Sequence, residues 1–225
     1  MKTMKHIVAL HIFTSRVHHD FTNIRELIDI SECHLKSEIK RLEERVTEEI
    51  QNTPEDEKEF TIGWYADDFV CLDKVYPNIQ RRALFTTLMG MVEADMLLGC
   101  RICRRAFNFP KEFKNKGNTR MIVQAMDYLR THLTIRERLV KTQWNFIQNL
   151  WLIRNAIVHN DGKPKPSNLK AVSEFCEPIP TIELDHHNRI ILKEGSVQIA
   201  LHYVNQFFSR LIDEIKKNEL PQQDI

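Results

Sequence analysis

The chain has 225 residues, 42% of them hydrophobic, and 32 Lys and Arg against 31 Asp and Glu give a net charge of +1. That is long and apolar enough for a substantial core, as one domain or as a domain with a helical extension. It is too neutral for global basicity to argue for a nucleic-acid partner, so only a local patch can carry that case. Five cysteines without framework spacing fit a reducing compartment. No apolar run approaches the roughly 18–20 residues needed to span a bilayer, and Met1 to Phe13 holds only a short one, interrupted by His11 and without a small-residue cleavage pattern. The expectation is a cytoplasmic protein with no membrane partner.

From Asp20 to Gln51, apolar residues recur every three or four positions (Phe21, Ile24, Leu27, Ile28; Leu35, Ile39, Leu42, Val46) between dense charges, which predicts one long amphipathic helix or two consecutive ones. Asn52 to Lys58 reads as an acidic loop, and Phe60 to Tyr76, with aromatics around Gly63, as irregular. Pro77 suits the first turn of a helix, and Ile79 to Phe107 continues it up to Pro110. After a Lys-rich loop from Asn108 to Asn118, a shorter helix is expected from Arg120 to Leu133, then a longer one capped by Thr134 and running through His159. Thr181 to Asp185 and Arg189 to Lys193 flank a His186-His187-Asn188 turn and predict a small β-hairpin, and a final helix starts near Ser196 and runs through Ile215. The fold class is mainly α, with a β-hairpin towards the C-terminal side. Residues 1–75 form a helical extension or complete the domain of 76–225.

The chemistry concentrates where the aromatic and aliphatic run Trp144, Phe146, Ile147, Leu150, Trp151 and Ile153 leads into Arg154-Asn155 and, after Ala156-Ile157-Val158, His159. At about 100° per residue, Asn155 and His159 share a helix face, while Arg154 and His159 stand about 140° apart. Arg154 and His159 share one small ligand only if the helix loosens near His159 or a second copy faces the first. Asn160-Asp161-Gly162 is turn chemistry, with Gly162 placed to take a left-handed C-cap, and Pro164 and Pro166 forbid continuation, so His159 belongs in the last turn.

An arginine, a polar neighbour and a histidine after four intervening residues, near the end of a late helix, resemble the signature of the HEPN superfamily, in which four to six residues intervene. These are compact helical domains that recur in RNA-cutting toxins and antiviral proteins. The resemblance extends over about residues 78–217: Arg81 through Asp95 looks like the long early helix of such domains, with Glu93 the best match for their inner acidic residue. It implies a HEPN-like helical bundle in which Arg154, Asn155 and His159 are catalytic and Glu93 supports Arg154. It further implies no metal or other cofactor, and a homodimer that builds one composite site.

Those residue types suit transesterification of RNA. The reaction needs a base for the ribose 2′-hydroxyl, a cation for the phosphorane-like transition state and an acid for the departing 5′-oxygen. Histidine supplies both protonation states near neutrality, and guanidinium holds phosphate oxygens without losing its charge. Acid and base act on opposite sides of the phosphorus, so two copies of one histidine satisfy the reaction. For RNA binding the candidates are Arg101, Arg104, Arg105, Lys111, Lys114 and Lys116, with Arg120, against the single acid Glu112; Phe107, Phe109 and Phe113 lie among them either as core or as stacking platforms. Cys100-x-x-Cys103 is half of a zinc pattern without a second pair, and His18-His19-Asp20 and His186-His187 with Cys176 do not complete it.

The expected function is a metal-independent endoribonuclease of a toxin–antitoxin or antiphage system, restrained by an antitoxin or other regulatory partner. The acidic stretch Glu43 to Glu59 is a candidate cover for a basic groove. The alternative, of a different class, is a catalytically inactive helical module that binds RNA or a partner protein. In that case Arg154 and His159 are a structural pair, with Arg154 held by a buried acid such as Glu93.

Overall fold

A computed structural model describes residues 2–115, 117 and 120–218, without the side chains of residues 2–6 and 137–139. The protein is mainly α-helical with one two-stranded antiparallel hairpin.

Helix α1 (Lys2–Asn52) is a single 51-residue helix that begins 18 residues before the expected start at Asp20. The extra turns have a physical reason: Leu10, Phe13, Val17 and Phe21 repeat at three and four and are all buried, continuing the stripe of Ile24 and Ile28. Thr53 and Pro54 end α1, and a short 3-10 turn, Glu55–Glu57, follows. The segment expected to be irregular is helical instead, as α2 (Lys58–Trp64), α3 (Ala66–Val70) and a π-type stretch, Cys71–Val75. None of these pieces buries a residue, so no inward stripe marked them in the sequence.

Helix α4 (Tyr76–Phe107) opens with Pro77 in its first turn and ends at Asn108 in the left-handed conformation. It lies between α1, α5 (Met121–His132), α6 (Glu137–Asn160) and α8 (Ser196–Lys217) as the central helix of the bundle. The helical stretch Glu55–Phe107 contains an 18-residue window that is apolar and long enough to cross a membrane, which corrects the expectation that no apolar run approaches that length. Half of that window is buried inside the bundle. Gly99 of α4 leaves room for the ring of Phe13 from α1, since a Cβ there would stand 3.0 Å from Cζ of Phe13. Phe13 and Phe21 in turn meet Phe208 of α8 with ring centres 6.5 and 5.3 Å apart. One core cluster joins these α1 residues to α4, α5, α6, the hairpin and α8.

The expected cap of α6 is corrected. Thr134 lies three residues before the helix, and its N–H donates to Oδ1 of Asn218 at 2.8 Å. The helix entrance is held instead by Glu214 of α8, whose carboxylate accepts from the Arg136 backbone N–H (3.1 Å), Arg136 Nε (3.0 Å) and Nη2 (2.7 Å), and Lys217 Nζ (2.6 Å). A carboxylate suits the positive end of a helix. Past α6, Pro166 does more than stop a helix: it opens α7 (Pro166–Cys176), an element not anticipated. The hairpin, β1 (Ile182–Leu184) and β2 (Ile190–Leu192), pairs Ile182 with Leu192 and Leu184 with Ile190, as the alternation around His186-His187-Asn188 predicts.

Candidate functional site

Helix α6 ends at Asn160, so His159 stands in its last turn as expected. The left-handed cap residue is Asp161 (φ 48°) rather than Gly162, which follows in the same region (φ 80°). Both Asp161 and Gly162 donate their N–H to the Ala156 carbonyl, closing the last turn, and Gly162 O accepts from Ile190 N–H at 2.9 Å, which ties the turn to β2. Arg82 of α4 locks the assembly. Its Nη2 donates to Ile190 O at 2.6 Å and its Nη1 reaches Asp161 at 3.5 Å, while Arg189 approaches the other Asp161 oxygen at 3.6 Å. The chain beyond His159 is thereby bound to α4 and to the hairpin.

Beside this turn lies a cleft of about 280 Å³ between the last turns of α6 and residues 163–168. Asn155 and His159 line it together with Trp151, Asn160, Lys163, Lys165 and Asn168. The lining contains no carboxylate and three basic side chains, so the cleft has the character of an anion site. Arg154 does not line it, in keeping with the separation around the helix axis. Its Nη1 donates to Oδ1 of Asn155 at 3.0 Å, its Nε is buried without a partner, and it makes no ion pair among the described residues. Arg154 thus orients the Asn155 amide, leaving the amide's NH2 group to donate at the cleft.

Glu93 is half-buried, and its partner differs from the expected one: Oε1 accepts from Nε1 of Trp151 at 3.2 Å, and among the described residues no hydrogen bond or ion pair joins it to Arg154. Four residues apart on α6, Trp151 and Asn155 share the cleft side, and Glu93 on α4 meets the tryptophan, not the arginine. Arg120 covers the indole, its guanidinium carbon 4.8 Å from the ring centre, so the end of the basic loop lies against the cleft.

Of the remaining candidate basic residues, Arg101, Arg105, Lys111 and Lys114 are exposed, Arg104 is half-buried with an unpartnered Nε, and Lys116 lies outside the described residues. The aromatics among them pack internally. Phe109 is buried and stacks on His132 with ring centres 4.6 Å apart, Phe107 stacks on Phe109, and Phe113 meets Tyr128 edge-on.

Among the described residues no three His, Cys, Asp or Glu side chains converge as a metal site. Cys100 and Cys103 are core residues, and burial pushes both thiols up to about 12, so they stay protonated and unreactive. Sequence reasoning missed Trp151, Lys163, Lys165 and Asn168 as cleft residues. The available signal was the alternation of lysine with proline in Lys163-Pro164-Lys165-Pro166, read only as a helix stop.

Compared with known protein families, curated proteins and solved structures, the chain gives no match.

Proposed function

We propose that the protein is a metal-independent endoribonuclease that cleaves RNA by attack of the 2′-hydroxyl at a composite site completed by a second copy. The observation that carries this reading is the carboxylate-free cleft at the end of α6, where His159 and Asn155 meet Lys163 and Lys165, beside an arginine with no acidic partner among the described residues. Such a cleft attracts a phosphodiester, while the Arg154 guanidinium, bonded to Asn155 and outside its own cleft, is offered to the site shared with the second copy. His159 removes the 2′-hydroxyl proton, its counterpart on the second copy protonates the 5′-oxygen, and Arg154 neutralises the charge on phosphorus. The HEPN-like signature supports a setting in cytoplasmic toxin–antitoxin or antiphage defence, with a regulatory partner holding the enzyme in check.

A second reading is a catalytically inactive module for RNA or protein. It draws on the placement of Arg154 outside the cleft, which leaves one copy with half of the required groups. Single substitutions separate the two. As a nuclease, the protein loses RNA cleavage by at least about 100-fold in both His159→Ala and Arg154→Ala, a typical loss for a general acid–base group, with unchanged melting temperatures. If the residues are structural, melting temperatures fall and no cleavage exists to lose.

A further inference from the structure

The helical pieces between α1 and α4 fold back on the distal half of α1 as a projecting arm. Leu42 and Val46 are buried beneath it, Arg45 lies over the Tyr65 ring at 5.6 Å, and the Tyr65 hydroxyl donates to Glu49. Its outer surface is apolar: Phe60 and Trp64 are 70% and 72% exposed, touch edge-on, and with Gly63 form an open groove. The groove is rimmed by Asp56, Glu59 and Asp67, which make no ion pair among the described residues.

Charge is divided sharply between arm and body. Residues 43–75 hold eleven acids against Arg45, Lys58 and Lys74, a net charge of −8, so in a chain of net charge +1 the remainder carries +9. The base of the arm lies at the cleft end of the bundle. Glu32 of α1 pairs bidentately with Arg81 (2.7 Å) one residue before the Arg82 that holds the His159 turn, and Lys36 reaches Glu194 just past β2 (2.6 Å). From Lys36, α1 runs sixteen more residues to Asn52, an overhang of about 24 Å at 1.5 Å per residue.

We propose that this arm clasps a second copy of the chain. When two clefts face each other about a two-fold axis, each overhanging arm runs along the other copy's body. The Phe60–Trp64 groove then takes the rim of the facing cleft, and Asp56, Glu59 and Asp67 meet Lys163 and Lys165, which make no ion pair of their own among the described residues. Attraction between −8 and +9 steers the encounter, and the exposed aromatics provide the buried anchors. This rests on the composite-site reading and names the device that assembles it.

The test is sedimentation velocity of the full chain across concentration at low and high salt, with RNA cleavage assayed on the same samples. The wild type is expected to dimerise, more weakly as salt rises. Phe60→Ala/Trp64→Ala, at exposed positions that leave the core intact, is expected to raise the dimer dissociation constant about 30-fold or more. Glu59→Lys/Asp67→Lys and Lys163→Glu/Lys165→Glu should each break the dimer, and an equimolar mixture of the two should restore association. A dimer undiminished by the arm variants, or a mixture that stays monomeric, overturns the clasp while leaving the composite site standing. A monomeric wild type that cleaves RNA overturns both.

Discussion

Replacing Gly162 by alanine tests how the end of α6 is held. Gly162 has φ 80°, and a Cβ built on it would stand 2.9 Å from Cζ of Arg82, whose guanidinium carries the bond to Ile190 O. The left-handed conformation costs a non-glycine residue about 1 kcal/mol. Displacing Arg82 forfeits most of a charge-assisted hydrogen bond worth about 1.5–3 kcal/mol. The sum is about 3 kcal/mol, which for a domain of this size is a fall in melting temperature of roughly 6–12 °C. Gly90→Ala is the matched control, because Gly90 lies in α4 with nothing within 4 Å of a built Cβ; helix propensity there favours alanine by about 0.5–1 kcal/mol. Thermal melts followed by circular dichroism decide the matter. A Gly162→Ala protein melting within a degree of wild type would refute the claim that Arg82 and the left-handed turn are mutually dependent.

Asp95 is 3% exposed, its Oδ2 has no partner, and burial, aided by nearby Asp20, pushes its carboxyl from 3.8 up to about 6. An acid raised on folding loses stability as pH climbs from the unfolded to the folded value, so Asp95→Asn should stabilise the protein by about 2 kcal/mol at pH 7 and flatten the decline between pH 4 and 6 in urea titrations. Glu214 has the opposite sign. The Arg136 hydrogen bonds hold it down from 4.5 to about 2, so its contribution is complete above pH 4.5 and is lost as pH falls through about 2. With Arg136 45% exposed, Glu214→Gln should cost about 1–2 kcal/mol at neutrality and nothing in the acid limit, measured by the same titrations. On the basic loop, exposed Lys111→Ala and Lys114→Ala should each weaken single-stranded RNA binding and reduce the log–log salt slope by about 0.7, measured by anisotropy with the inactive His159→Ala background.

The helices that supply the core were legible wherever a continuous apolar stripe met a clear stop. Helix α4 runs between Pro77 and the Asn108 turn, α6 ends at Asn160-Asp161-Gly162, and α8 carries Val197 to Ile215 on its buried face. The first turns of α1 show the same spacing from Leu10 to Phe21, but histidines and a short apolar run masked it. Helices α2 and α3 bury nothing and so offered no periodic signal. In α7 the proline that opens the helix is the residue that suggested a stop. Helical geometry alone placed Asn155 with His159 and Arg154 apart from them, and the cleft agrees. The partner of Glu93 was not legible, because the rotation of α4 against α6 decides whether it meets Trp151 or Arg154, and that rotation depends on packing from the whole bundle.

The most direct test of the proposed nuclease is incubation of the purified protein with total RNA in excess chelator, beside His159→Ala, with the ends of any fragments identified. Fragments carrying 2′,3′-cyclic phosphate, absent with the variant, are the expected result. Intact RNA with a folded dimeric wild type, or cleavage that His159→Ala leaves unchanged, would contradict it.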